Sequence, residues 1–370
     1  IRDRSPSRGL GDVYKRQMLL PNTPAESGRI AKGAALAIKM RYALYRGNWQ
    51  QAAETAKAIM DLKQYELDKD YAAPFTMAGN KSKEIIAAEE HDEVQNELTI
   101  LGQLYNNGDG GWSSIVPTQN LVDLYLMKDG LPKEESRLYD KSHPFANRDP
   151  RMAKTILYPG CDYWNGVYNT LDKQLDGKDN PDFPTKAANS SKTALTWAKY
   201  LYPKSQYADI WSTSASVVVF RYAEVLLSRA EALNELSGPS EEVYALIDQL
   251  RTRAGMPTVD RAKYATKDAL REVIRRERTV ELAGEGLRRA DIVRWKDASG
   301  KMVAETVLNG NLTRITGTVD MKGANPETRA TIAEERDVIE DRSFKPEYRY
   351  WPIPQSAIDR NPKLKQNSGY

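Results

Sequence analysis

Glu277, Glu281 and Glu285 stand at i, i+4 and i+8, a spacing that lines three carboxylates along one side of a 3.6-residue helix. Such a stripe could hold a metal. Carboxylate metal sites in helical bundles also use histidine at Glu-x-x-His spacing, and neither His91 nor His143 is near it. Arg275, Arg276, Arg278, Arg288, Arg289 and Arg294 lie close in sequence, so the expectation is structural ion pairing with these neighbours and no metal. The histidines offer no nucleophilic pairing: His91 sits in Glu89-Glu90-His91-Asp92-Glu93 and His143 precedes Pro144, both positions expected in solvated loops. Gly108-Asp109-Gly110-Gly111 leads into Trp112, not into a phosphate-cradling helix. A helical glycosidase would need two carboxyls, about 6.5–9.5 Å apart for inversion. Asp162 and Asp209, each beside aromatics, are the pair to test for it. With no acid marked by its surroundings, the chain is read as a non-enzyme without a cofactor or catalytic residue.

Aromatic residues carry the stronger signal. From residue 132 to 211 the chain is rich in Pro, Gly, Asn and Asp, yet it holds Tyr158, Tyr163, Trp164, Tyr168, Trp197, Tyr200, Tyr202, Tyr207 and Trp211. Disordered segments lack such rings, so ordered loops laid over a scaffold are expected. Sugars present flat C–H faces to aromatic rings and hydroxyls to Asn, Asp, Arg and Gln, which is this composition. Trp112, Tyr163, Trp164, Tyr168 and Trp211 are the expected glycan contacts. Two stacked rings at about 0.5–1.5 kcal/mol each, with several hydrogen bonds of about the same net size, give millimolar to micromolar affinity.

Helices must position these loops. Residues 216 to 295 read as three: one with Tyr222, Val225, Leu226, Arg229, Ala230 and Leu233 on a face, stopped by Gly238-Pro239; one capped by Ser240 and ending at Gly255; and a long charged one opening at Thr266. Earlier, residues 28 to 46 form an Ala-rich helix, and Gly47-x-Trp49-x-x-Ala52 matches the turn of a tetratricopeptide hairpin. Residues 84–89 suggest a short strand or helix end, Thr118 starts a helix ended by Lys128-Asp129-Gly130, and 155–158 suggest a strand. Val303 and Val307 look β-prone, as do 312–319; residues 328–343 look polar and mobile, and Ser356 could cap one turn. The fold class expected is mainly α, with tetratricopeptide-like hairpins, an irregular loop-rich region and a few short strands.

Three stretches carry a family resemblance: Arg221-Tyr222-Ala223-Glu224-Val225-Leu226-Leu227 with Ala230-Glu231-Ala232-Leu233-Asn234-Glu235; Leu250 to Gly255; and Glu277 through Trp295. Together with Gly28 to Leu67 and the tail Tyr348 to Tyr370, they resemble the SusD/RagB family of outer-membrane nutrient-binding lipoproteins. The resemblance implies a helical scaffold at 24–67 and 216–296 and a tail at 344–370, to which composition adds aromatic-rich ligand loops at 132–211, all within one domain from 18 to 370. It further implies a cell-surface protein that binds an oligosaccharide and delivers it to a SusC-like TonB-dependent transporter, held at the outer membrane by an amino-terminal lipid anchor absent from this chain. A tetratricopeptide-type protein scaffold, or less readily the glycosidase, is the alternative.

Bulk properties limit the rest. The formal net charge of +3 is accounted for by residues 1 to 17, where Arg2, Arg4, Arg8, Lys15 and Arg16 face Asp3 and Asp12. A neutral body argues against nucleic acid as a partner. That leader has no apolar stretch and reads as a non-native cloning scar. Cys161 is the sole cysteine, which excludes an intrachain disulfide.

Overall fold

The computed structural model describes residues 20–370 apart from 25, 27, 93 and 165; the leader at 1–17 lies outside the described residues. In chain order, α1 (Lys32–Tyr45) and α2 (Trp49–Asp61) precede β1 (Ile85–Glu89) and the short helices α3 (Ile100–Leu104), α4 (Gln119–Leu124) and α5 (Arg151–Thr155). Two-residue strands follow: β2 (Ile156–Leu157), β3 (Asp162–Tyr163), β4 (Gly166–Val167), β5 (Gln174–Leu175), β6 (Lys178–Asp179) and β7 (Thr196–Trp197). Next come β8 (Val217–Arg221), α6 (Tyr222–Ser237), α7 (Glu241–Arg253), α8 (Lys267–Glu281) and α9 (Arg288–Arg294). The chain ends with α10 (Val303–Val307), β9 (Gly310–Arg314), β10 (Gly317–Val319), β11 (Ala330–Ile332), β12 (Asp337–Arg342) and α11 (Gln355–Arg360). Among the described residues the strands pair in antiparallel twos: β1 with β8, β2 with β7, β3 with β4, β5 with β6, β9 with β12 and β10 with β11.

The frame is helical. Gly47 turns α1 into α2 at φ +68°, and Asn48 caps α2 by accepting from the Gln51 N–H at 3.2 Å. Buried Ala34, Ala37, Ala52, Ala53 and Ala56 let the two helices approach closely. The pair packs on α6, where Arg41 Nε donates to Glu224 (2.8 Å) and Arg229 donates to the Ala53 carbonyl (2.8 Å). Ser240 and Thr266 cap α7 and α8 as their positions predict, and Leu226, Leu227, Val243, Ile247, Leu250, Leu270 and Ile274 close the core between them.

The loop-rich region has a core of its own. Tyr105, Tyr125, Phe145, Tyr158, Tyr168, Tyr202 and Tyr207 are interior, together with Leu101, Ile156, Leu195 and Ile332. Most of its aromatics therefore serve packing.

Several local expectations change. Val217–Arg221 is a strand because Ile86 and its neighbours in β1 supply the missing edge. The long third helix breaks at Gly284 and Gly286, both at φ +77°, and resumes as α9. Helix α4 stops at Leu124, four residues before Lys128, and an unforeseen α5 precedes β2. Val303–Val307 is helical, residues 330–332 and 337–342 are paired strands, and Ser356 lies inside α11 behind Pro354. Both histidines lie in loops as expected but are not freely solvated: the His91 side chain is largely buried, and His143 Nδ1 lies 2.9 Å from the Ala330 carbonyl.

One buried charge network joins frame and loops. Arg221 donates to Glu84 (2.6 Å), Glu281 (2.7 Å) and both oxygens of Glu285 (2.8 Å). Arg151 of α5 reaches Asp149, Glu277 (2.5 Å) and Glu281 (2.8 Å). Arg253 of α7 reaches Glu84 (3.1 Å) and Glu281, and Lys199 reaches Glu285 (2.6 Å). The counter-charges of the glutamate stripe are thus distant in sequence. The neighbours first expected pair elsewhere: Arg278 with Asp291, Arg294 with Glu231, and Arg275 with Glu272.

Burial opposes ionisation of Glu281, but Arg253, Arg221 and Arg151 outweigh it and hold its pKa well below 4.5. Burial likewise opposes charge on Glu285, and Arg221 and Lys199 still lower its pKa. On Glu277 burial wins over Arg151 and the pKa rises. Groups with depressed folded pKa values stabilise the fold above the unfolded value, and that contribution is lost as pH falls toward the folded one. Stability is expected to drop on acidification below about pH 4.5, with Glu277 partly offsetting the trend and Glu281→Gln flattening it, as read by urea midpoints across pH. Glu281→Ala removes the buried carboxylate that three guanidinium groups share and is expected to cost about 3–5 kcal/mol at pH 7, lowering the urea midpoint without changing the slope.

Candidate functional site

Four of the five expected contact residues meet on one loop. The Asn106 side chain accepts from the Asp109 N–H (2.8 Å), closing a tight turn over Asn107–Asp109. Gly110 at φ +90° then reverses the chain. The Trp112 N–H bonds back to the Gly102 carbonyl (2.9 Å), which sets its ring at the surface, 49% exposed.

Trp211 lies flat over Gly102, where a Cβ would collide with the indole. Its ring centroid is 4.5 Å from that of Trp112, with planes inclined at 57°, and its indole N–H points to the Gly110 carbonyl (3.4 Å). Trp211 is half-buried.

The second ring pair comes from the hairpin of β3 and β4. Tyr163 and Trp164 have centroids 4.6 Å apart, inclined at 39°. Trp164 is 38% exposed and sits at φ +42°, a left-handed conformation costly for a bulky side chain and characteristic of functional turns. Asp109 fixes both rings: it accepts from the Tyr163 hydroxyl and, at 3.4 Å, from the Trp164 indole N–H. Asn106 Nδ2 donates to the Tyr163 hydroxyl (2.9 Å), and Lys204 Nζ lies 3.5 Å from Asp109.

Tyr168 does not share this surface. It is 2% exposed and bonds Thr196 Oγ1 at 2.6 Å, so it braces Tyr163 from within, 5.4 Å between centroids. Burial, and then the hydrogen bond to Asp109, raise the Tyr163 pKa, so the phenol stays neutral and its proton stays on this bond. Burial pushes Asp182 up to about 6, with the Asp109 charge adding to it and the Gly108 N–H (2.9 Å) opposing it.

The carboxylates considered for hydrolysis are occupied otherwise. Asp162 is exposed and ion-paired to Arg329 (2.6 Å), and Asp209 accepts from the Trp211 N–H (2.9 Å). The only cysteine, Cys161, is buried, and burial moves its thiol to about 12, which leaves it inert. Among the described residues no helix is long and apolar enough to cross a membrane.

A cleft of about 620 Å³ opens elsewhere, walled by Leu98, Ile100, Leu104, Leu121 and Leu282. None of the five expected residues lines it. Trp197, Tyr200, Asn120, Arg288 and Arg342 also line it; the aromatic loop is taken as the candidate site because four of the expected residues gather there.

Asp109, Asn106, Lys204 and Gly102 were not singled out by sequence reasoning. The Asn106–Gly111 run marked a loop and Trp112 followed it, but no local pattern says that Asp109 will meet residues 54 and 55 positions later.

Similarity to known proteins adds to this geometry. The SusD family model matches residues 61–370. A SusD-like carbohydrate-binding protein from Bacteroides fragilis superposes with TM-score 0.81 at 28% identity, covering 97% of this chain and 70% of that one. A second SusD-like protein from the same species gives TM-score 0.76 at 26% identity, covering 98% and 70%. SusD-like protein P2 of Formosa agariphila is 25% identical over 303 residues, 78% of this chain and 55% of that protein. The chain therefore spans about half the length of the curated relatives it matches.

Replacing Gly102 with Ala is expected to drive Trp211 off the loop at a cost of about 1–3 kcal/mol. Near-ultraviolet circular dichroism should change while the far-ultraviolet spectrum is kept; an unaltered near-ultraviolet spectrum would show that the ring does not depend on this glycine.

Proposed function

The chain belongs to the SusD family, and from that premise we propose that it is a non-enzymatic, cell-surface glycan-binding protein. It captures an oligosaccharide on the Trp112/Trp211 and Tyr163/Trp164 pairs and delivers it to a SusC-like TonB-dependent transporter in the outer membrane, where an amino-terminal lipid anchor holds it. The observation that carries the reading is the arrangement around residues 106–112: two ring pairs with partly exposed faces, tied to adjacent residues of a single glycine-rich loop.

Supporting chemistry is consistent with capture and release. Each exposed ring offers a face to a sugar's C–H surface, while Lys204, 3.5 Å from Asp109, adds a polar group beside them. Trp112 and Trp164 are the exposed members of the pairs, so a bound chain keeps much of its hydration and dissociates readily. Handing on a ligand requires that weakness.

Affinity gel electrophoresis on a panel of polysaccharides, followed by calorimetry with the responsive oligosaccharide, tests this. The double change Trp112→Ala, Trp164→Ala is expected to weaken binding by about five- to a hundredfold, from about 0.5–1.5 kcal/mol per lost stacking ring. Trp351→Ala, at a 73% exposed ring of the tail, should leave affinity unchanged. Retention unaltered by the double change would remove these rings from the site.

A further inference from the structure

Charge around the ring platform selects among glycans, an inference that rests on the glycan-binding reading above. Asp109 lies under Tyr163 and Trp164. Asp182 holds the Gly108 N–H one residue away, Asp209 holds the Trp211 N–H, and Asp162 directly precedes Tyr163. All four carboxylates belong to residues that bond or adjoin the four rings or their loop.

Few cations answer them. Lys204 is 3.5 Å from Asp109, and Arg329 is bound to Asp162. Arg329 is already committed: its Nε donates to the Gly323 carbonyl, and its Nη1 is shared by Asp162 and the Gly160 carbonyl (3.1 Å). Lys186 is paired with Asp179. Recognition of a uronate or a sulfate ester calls for a guanidinium fork or several ammonium groups aimed at the anion. Among the described residues bonded to the loop or its rings, the cation is a single lysine, already facing a carboxylate.

We infer that this platform takes neutral glycans and rejects polyanionic ones, because the carboxylates gathered at Trp112, Tyr163, Trp164 and Trp211 outnumber the cations that could meet a uronate or sulfate. At neutral pH Asp182, with its pKa moved to about 6, is largely ionised and adds to the repulsion. Sugar hydroxyls, in contrast, donate to carboxylates. The same groups that exclude an anionic chain thus offer acceptors to a neutral one.

Affinity gels at low and high ionic strength distinguish the outcomes. The panel sets neutral polysaccharides (an α-glucan, a mixed-linkage β-glucan, a galactomannan) against polygalacturonate, alginate and chondroitin sulfate. Retention by one or more neutral gels, unchanged by salt and lost in Trp112→Ala, Trp164→Ala, with none by the anionic gels, supports the inference. Asp182→Asn with Asp209→Asn should then raise affinity for an anionic oligosaccharide about three- to tenfold at low salt, an effect that fades as salt screens the charges. Retention of an anionic glycan equal to or above that of every neutral one, lost with the same two tryptophans, would overturn the inference while leaving the platform as the site. Absence of retention on every gel would remove the platform reading and this inference with it.

Discussion

Glu281 is a carboxylate with no side-chain exposure, and it exists only because three guanidinium groups reach it. Removing such a charge from water costs several kcal/mol unless the interior supplies opposite charge and hydrogen bonds. Arg151, Arg221 and Arg253 supply both, and each comes from a different part of the chain. Glu84 and Glu285 are drawn in through the same arginines. Since α8 cannot bury its acidic side until α5, α7 and the end of β8 have docked, helical frame and loop-rich region assemble as one.

That dependence explains what the conspicuous helical stretches do. Arg221, Glu224, Glu231, Arg278, Asp291 and Arg294 stand out in the sequence, and they hold one another or the seam: Glu231 receives Arg294 and the Trp295 indole (2.9 Å), and Arg278 holds Asp291 (2.8 Å). None touches the ring platform. These residues identify the fold and are silent on what is bound.

The partly exposed aromatic rings sit instead on short loops whose shape is set by glycines and single side chains. Gly102 gives Trp211 room, Asn106 and Asp109 hold Tyr163 and Trp164, and Tyr168 backs them from the interior. Loops pinned at so many points keep exposed rings in place without regular secondary structure. Variation of a few exposed residues can then alter this surface while the seam is untouched.

Local patterns settled the frame: the hairpin turn at Gly47, the caps at Ser240 and Thr266, the apolar stripes of α6 and α7, and the mainly helical class all depend on residues within a turn or two of each other. Spacing also showed that Glu277, Glu281 and Glu285 share a side, and composition showed where aromatics concentrate. Which cations answer those glutamates, which of nine rings face outward, and whether 217–221 is strand or helix were decided only by tertiary structure. These partners lie from 28 to 137 residues away, and periodicity reports the face a residue lies on, not the distant segment that covers it. An aromatic becomes core or platform according to what docks against it, and that is a property of the assembled chain.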